Sequence, residues 1–329
     1  MMVRRTLLLA LSLAVLVIGS ACRTAPTATP GGDGLPSLSP VALGAGEKLR
    51  VVATTSIVAD VVANVGGDRI ALTVLMPLGA DPHSFQPTPQ DMTALEKAHV
   101  VYANGAGLET FLEPLMANAQ VGNRLVAVST GVALLEAAEA HEDESAEEEA
   151  HHHEGGDPHT WFDPNNVIVW VDNIRDTLSA LDPSGAATYR ANAQAYTAQL
   201  RELDAWIRQQ VAQIPAANRK LVTDHTAFTY FAARYGFEQV GAVIPGYSTL
   251  ASPSARDLAA LEDAIRAQGV RAIFTGKTVN PALAERVAQD TGVRLVFLYT
   301  GSLGEAGSPA STYLGMMRYN VSAIVEALR

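Results

Sequence analysis

Short β-branched runs alternate with helix-length segments along most of the chain, and the pattern recurs on both sides of one long Gly- and Pro-free stretch. Val51–Thr55 and Ile70–Met76 read as buried strands. Ser56 opens a helix over Ile57–Val65, which stops at Gly66-Gly67. Thr88 and Pro89 start the next helix as N-cap and first turn, to about Ala98. Val100–Ala103 and Arg124–Val128 are the third and fourth strands, and Asp163-Pro164 begins a helix to about Leu181. Ser184–Val211 is rich in Ala, Gln, Leu and Arg and reads as one helix of about 28 residues, roughly 40 Å long. After Pro215 the alternation restarts, with strands at Lys220–Thr223, Glu238–Ile244, Val270–Thr275 and Val293–Tyr299. Helices are expected over Thr226–Tyr235, Ser252–Gln268, Pro281–Thr291 and Ser311–Leu328. Such alternation implies parallel sheets covered by helices. The expected fold is therefore α/β, with two similar lobes (49–181 and 216–329) joined by a rigid linking helix within 182–215.

One motif occurs twice. Asp157-Pro158-His159-Thr160-Trp161 echoes Asp81-Pro82-His83-Ser84-Phe85: Asp-Pro-His, a small hydroxyl residue, an aromatic. A further histidine, His225, follows Asp224 at the end of an apolar run. His83 and His225 each stand after a strand and before a helix, and ligands of open α/β sheets bind at such strand ends. If the lobes face each other, His83 and His159 come from one wall and His225 from the other. Three imidazole nitrogens suit Zn²⁺ and other borderline ions. Binding needs neutral imidazoles, so affinity should fall below a pH of about 6.5. His99, at a helix-to-strand junction, reads as structural.

The charge distribution separates body from insert. Net charge is −11, which argues against a nucleic-acid partner. Ten carboxylates lie between Glu136 and Asp157, and no Lys or Arg occurs between Arg124 and Arg175. The segment 136–156 also carries His141, His151, His152 and His153. It is too charged to pack and is expected to be a loop that gathers metal loosely. Cys22 is the only cysteine, which excludes internal disulfides and Cys-based zinc sites. Arg4 and Arg5 followed by the apolar Thr6–Ala21 read as a signal peptide, residues 1–21. Gly19-Ser20-Ala21-Cys22 resembles a bacterial lipoprotein signal, which makes Cys22 the lipidated residue. Residues 22–48, rich in Thr, Ala, Pro, Gly and Ser, read as a flexible tether.

Taken together, these residues resemble the zinc- and manganese-binding, substrate-binding lipoproteins of bacterial ABC importers. The resemblance runs from Leu49 to the C-terminus. It rests on Val52-Ala53-Thr54-Thr55-Ser56-Ile57, Gly79-Ala80-Asp81-Pro82-His83, Asn104-Gly105 with Leu108-Glu109, Asp157-Pro158-His159-Thr160-Trp161, the long helix before Asp224-His225, and Tyr313-Leu314 through Asn320. It implies metal held between two lobes, with His83, His159 and His225 at the family's first three ligand positions. It also implies delivery of the ion to an ABC permease by a monomeric, extracytoplasmic protein, lipid-anchored to the cell membrane or periplasmic. His225 and the insert favour zinc; a manganese- or iron-binding homologue or a metal-binding adhesin is the alternative. A three-histidine zinc hydrolase or hydratase is a further reading, for which no additional acid–base group is identifiable. The chain departs from the family at Gly301, where a carboxylate ligand is expected, and at Gly276, often acidic in relatives. Water, Glu305 or a histidine of the insert then remain as candidates for the fourth position.

Overall fold

The computed structural model describes residues 34–112, 123–136 and 156–329. The segment expected to be a signal peptide, Cys22 and the histidines at 141, 151, 152 and 153 lie outside the described residues. None of the described helices is long and apolar enough to cross a membrane.

Two four-stranded parallel sheets form the frame. The first contains β1 (Leu49–Ala53), β2 (Ile70–Val74), β3 (Val100–Ala103) and β4 (Leu125–Ala127) in the order β2-β1-β3-β4. The second contains β5 (Lys220–Thr223), β6 (Glu238–Ala242), β7 (Ala272–Gly276) and β8 (Arg294–Leu298) in the order β6-β5-β7-β8. Each sheet starts in the middle, adds a strand on one side, then crosses to the other. The crevice where the order reverses lies beyond the carboxyl ends of β1 and β3 and of β5 and β7. The strands fall within a residue or two of their expected limits.

Alternation along the strands explains how each sheet is covered. Val51 and Ala53 of β1 face a core shared by both halves, while Val52 between them faces a smaller cluster with Leu95 and Ala98. In the second sheet Ala272 and Phe274 face the shared core, whereas Ile273 packs with Leu261, Ile265 and Val287. The smaller clusters are roofed by α2 (Pro89–Lys97) in the first half, and by α6 (Ala255–Gln268) and α7 (Ala282–Thr291) in the second. The shared core lies under α1 (Ser56–Gly66), α3 (Pro164–Leu181), α4 (Ala186–Val211), α5 (Thr229–Tyr235) and α8 (Tyr313–Leu328).

The linking helix α4 has 26 residues, a length of about 39 Å. It packs on α1 and α3 of the first half and on α8 of the second. Its buried face, Tyr189, Ala193, Tyr196, Leu200, Leu203, Ile207 and Val211, follows the three-to-four-residue spacing of one helical stripe. Asp182 fixes the corner between α3 and α4, accepting hydrogen bonds from Arg69 Nε at 2.8 Å and Tyr189 Oη at 2.9 Å.

Two expectations change. Thr55, not Ser56, caps α1: Val58 N donates to Thr55 Oγ1 at 3.1 Å. The Ser56 hydroxyl instead crosses to the second half and accepts from Leu303 N at 2.9 Å. The last part of the tether is also not free. Leu35, Leu38, Val41 and Leu43 pack against the shared core, and Val41 N donates to Leu181 O at 2.8 Å. Scattered apolar residues need no core of their own when they can pack against that of the body. His99 serves the structural role expected, accepting from Arg50 N at 3.1 Å through Nδ1.

Candidate metal centre

Three loops at the carboxyl ends of strands deliver the three histidines. His83 follows β2. Asp81 accepts its backbone N–H at 3.1 Å, the side-chain turn that Asp makes two residues before a bend. From the other half, the Thr249 hydroxyl donates to Asp81 Oδ2 at 2.5 Å. His159 lies between β4 and α3. Asp157 Oδ1 accepts its N–H at 2.8 Å and lies 2.6 Å from its ring Nδ1. His225 directly follows β5 and its neighbour Asp224. Asp224 Oδ1 accepts the His225 N–H at 2.7 Å and lies 2.7 Å from Nδ1, while Oδ2 accepts from Gly276 N at the end of β7.

These contacts set the tautomers of two rings. A carboxylate at Nδ1 holds the proton there and makes Nε2 the lone-pair donor of the ring. The Nε2 atoms then converge: His159 Nε2 is 3.1 Å from Nε2 of both His83 and His225. Lone pairs that face each other at this distance repel unless a cation or proton lies between them. In a tetrahedral zinc site with bonds of about 2.0–2.1 Å, neighbouring donors stand roughly 3.3–3.4 Å apart. The histidines are close to that spacing, all three are buried, and their ligand atoms lie within 4.8 Å of one another. Among the described residues no other His, Cys, Asp or Glu joins the group.

The surrounding charge is shared rather than isolated. Burial pushes the Asp157 carboxyl up to about 7, against the hydrogen bond from His159 N and the pull of His225. Burial also pushes Asp224 up, but the charge and hydrogen bonds of His225, with the Gly276 amide, bring it below the ordinary carboxylate range. Burial pushes His225 down, and the charge and hydrogen bond of Asp224, helped by Asp81 and Asp157, raise it above its ordinary value.

Asp81, Pro82, Thr278, Thr300 and Gly301 complete the wall around the histidines. A Cβ on Gly301 would stand 2.7 Å from Pro82 Cδ, and one on Gly276 would stand 2.1 Å from Thr300 Oγ1. Both glycines are points of close approach, so a carboxylate at either would need its neighbours to move. Glu305, a candidate for the fourth position, is exposed and lines an adjoining cavity instead; the structure does not bring it to the histidines. The candidate histidines of the insert lie outside the described residues. At its base, Asp157 N donates to Leu135 O at 2.7 Å, so the insert leaves and rejoins the body at one point. Thr278 and Thr300 were not singled out by sequence reasoning. Their one signal is position: each stands two residues beyond the end of a strand, β7 or β8.

Known proteins resemble this chain over most of its length. Residues 51–327 match the family model described as zinc-uptake complex component A, periplasmic. The manganese-binding lipoprotein MntA of Halalkalibacterium halodurans is 36% identical over 284 residues, covering 86% of this chain and 89% of the relative. The manganese ABC transporter substrate-binding lipoprotein PsaA of Streptococcus pneumoniae is 33% identical over 290 residues, covering 86% and 90%. Among solved structures, the periplasmic zinc-binding protein TroA from Treponema pallidum superposes with a TM-score of 0.76 at 31% identity, covering 86% of this chain and 99% of that one. A manganese-bound periplasmic metal-binding protein from Candidatus Liberibacter asiaticus gives 0.73 at 27% identity, covering 86% and 100%. The chain therefore belongs to the zinc-uptake complex component A family, the metal-binding, substrate-binding proteins of bacterial ABC importers.

Proposed function

We propose that His83, His159 and His225 hold one divalent transition-metal ion, which the protein carries outside the cytoplasm to an ABC permease. The observation that supports this most directly is the convergence of three buried Nε2 atoms from three separate loops. Cys22 is the lipid anchor in this reading, in keeping with relatives named as lipoproteins. No reaction is catalysed; the ion is cargo.

Manganese is the cargo that the relatives favour, since MntA and PsaA are both named for it. This goes against the zinc preference expected from His225 and the histidine-rich insert. Zinc stays as a second reading because the donors are all imidazole, and manganese ordinarily prefers oxygen ligands. The two are compatible in the test tube. Any nitrogen site binds Zn²⁺ more tightly than Mn²⁺, so cargo is decided by supply and geometry rather than by affinity alone.

Equilibrium dialysis with Mn²⁺ and with Zn²⁺, repeated for His225→Ala, tests the site. Loss of one of three ligands should weaken both ions by about a hundredfold or more. Unchanged affinity for both would refute the site. Metal analysis of protein recovered from its own cell envelope tests the cargo: manganese in excess over zinc supports the first reading, zinc in excess the second.

A further inference from the structure

We propose that Glu109 and Asn104 are positioning residues of the metal site: together they hold the turn on which His159 stands. This rests on the assignment of His83, His159 and His225 as ligands. His159 is the middle ring of the three, with its Nε2 3.1 Å from that of both others. Its backbone (φ −80°, ψ 45°) and the bond from Thr160 N to Pro158 O at 2.8 Å make an inverse γ-turn centred on His159. Pro158 O has a second donor, Asn104 Nδ2, at 2.9 Å. Asn104 O in turn accepts from Ser129 N at 3.1 Å, and the Ser129 hydroxyl lies 2.9 Å from that of Thr160. Asn104 thus reaches the residues on both sides of His159.

Asn104 needs its own support, because the chain after β3 is strained. Gly105, Ala106 and Gly107 all have positive φ, at 78°, 53° and 78°, and Ala106 is the one residue other than glycine to do so among the described residues. A side chain in this region is disfavoured, and such strain persists only where the surroundings fix it. Glu109 fixes it here. Its Oε1 accepts from Asn104 N at 2.7 Å and from the hydroxyl of Thr54, just after β1, at 2.6 Å; its Oε2 accepts from Gly105 N at 3.0 Å. A buried carboxylate is costly unless its oxygens are bonded, and three donors meet these. With its backbone held, Asn104 gives both amide protons to carbonyls, Pro158 O and Gly105 O, the latter at 2.8 Å. A Cβ on Gly105 would stand 2.6 Å from Ala127 Cβ, so the loop lies directly on the end of β4, from which the chain runs on towards His159. The pattern Asn104-Gly105 with Leu108-Glu109, which supplies no ligand, acquires a role through this frame.

Competition titration of Zn²⁺ against a chelating dye, run beside urea unfolding of the metal-free protein, tests this. Asn104→Ala and Glu109→Gln should each weaken binding about 10–100-fold, the loss expected when the support of a ligand is removed. Asp182→Asn, at the far end of α3, is the control: it should lower the unfolding midpoint and leave the affinity as it was. The visible spectrum of the Co²⁺-loaded protein separates placement from stability, since its bands follow the geometry of the donors. It should change in Asn104→Ala and not in Asp182→Asn. If Glu109→Gln does not fold, Asn104→Ala decides alone. Unchanged affinity and spectrum in Asn104→Ala, with binding lost in His225→Ala, would overturn the positioning role and leave the histidine site standing. Binding that survives His225→Ala would remove both.

Discussion

At the scale of single residues, each carboxylate beside a histidine decides what that histidine can do. Asp157 and Asp224 hold Nδ1 of His159 and His225, and this turns both Nε2 atoms into donors aimed at one point. Asp157→Asn presents an amide where a carboxylate held the proton, so the ring can take the wrong tautomer. Metal affinity should fall about 10–100-fold, the usual effect of losing such a partner. Competition titration against a chelating dye measures it, and an unchanged affinity would mean that Asp157 does not orient the ring. The histidines were legible in the sequence because a rare tripeptide occurs twice and because His83 and His225 lie in loops that follow strands. The role of their Asp neighbours was not, since adjacency in sequence says nothing about where a carboxylate points. Thr300 was hidden for a related reason. Threonine carries no motif, and its place depends on β8 and the His159 loop meeting across the molecule, as Trp161 Nε1 donating to Thr300 O at 3.1 Å shows.

Elements join the halves more firmly than a single linking helix would. Phe162, just before α3, stacks on Phe228, just before α5, with ring centroids 4.1 Å apart. Both rings belong to the shared core, and Phe228 touches Phe231 as well. Phe228→Ala should therefore cost about 3–5 kcal/mol, the range for a large aromatic removed from a closed core. Urea unfolding checks this, and a loss under about 1 kcal/mol would show that the halves are held mainly by α4. The order of strands and helices could be read from β-branched runs and from Gly and Pro punctuation. The pairing of the lobes could not, because an aromatic in a short loop gives no sign of which distant aromatic it meets. The packing of Leu35, Leu38, Val41 and Leu43 escaped notice likewise, since their spacing fits neither a helix nor a strand.

Over the whole molecule, the walls of the metal site are tied across the crevice. Thr249 reaches Asp81, Leu303 N reaches Ser56, and Gly79 N donates to Ser302 Oγ at 3.0 Å. Tyr313 Oη, on α8, donates to Trp161 O at 2.7 Å. One apolar core runs beneath both sheets, so wide opening would expose buried aromatic surface. Metal uptake should proceed by displacement of the rim loops with little change in overall shape. The radius of gyration from solution scattering, with and without bound metal, should differ by less than about 1 Å, as for other preorganised binding surfaces. A larger expansion on metal removal would point to a hinge between the lobes.

The central claim is that three imidazoles from three loops share one ion. X-ray absorption at the zinc edge of the zinc-loaded protein tests it most directly. The account predicts three imidazole nitrogens at about 2.0–2.1 Å, with the outer-shell scattering that imidazole rings produce. A first shell with one imidazole or none, filled instead by oxygen, would contradict it.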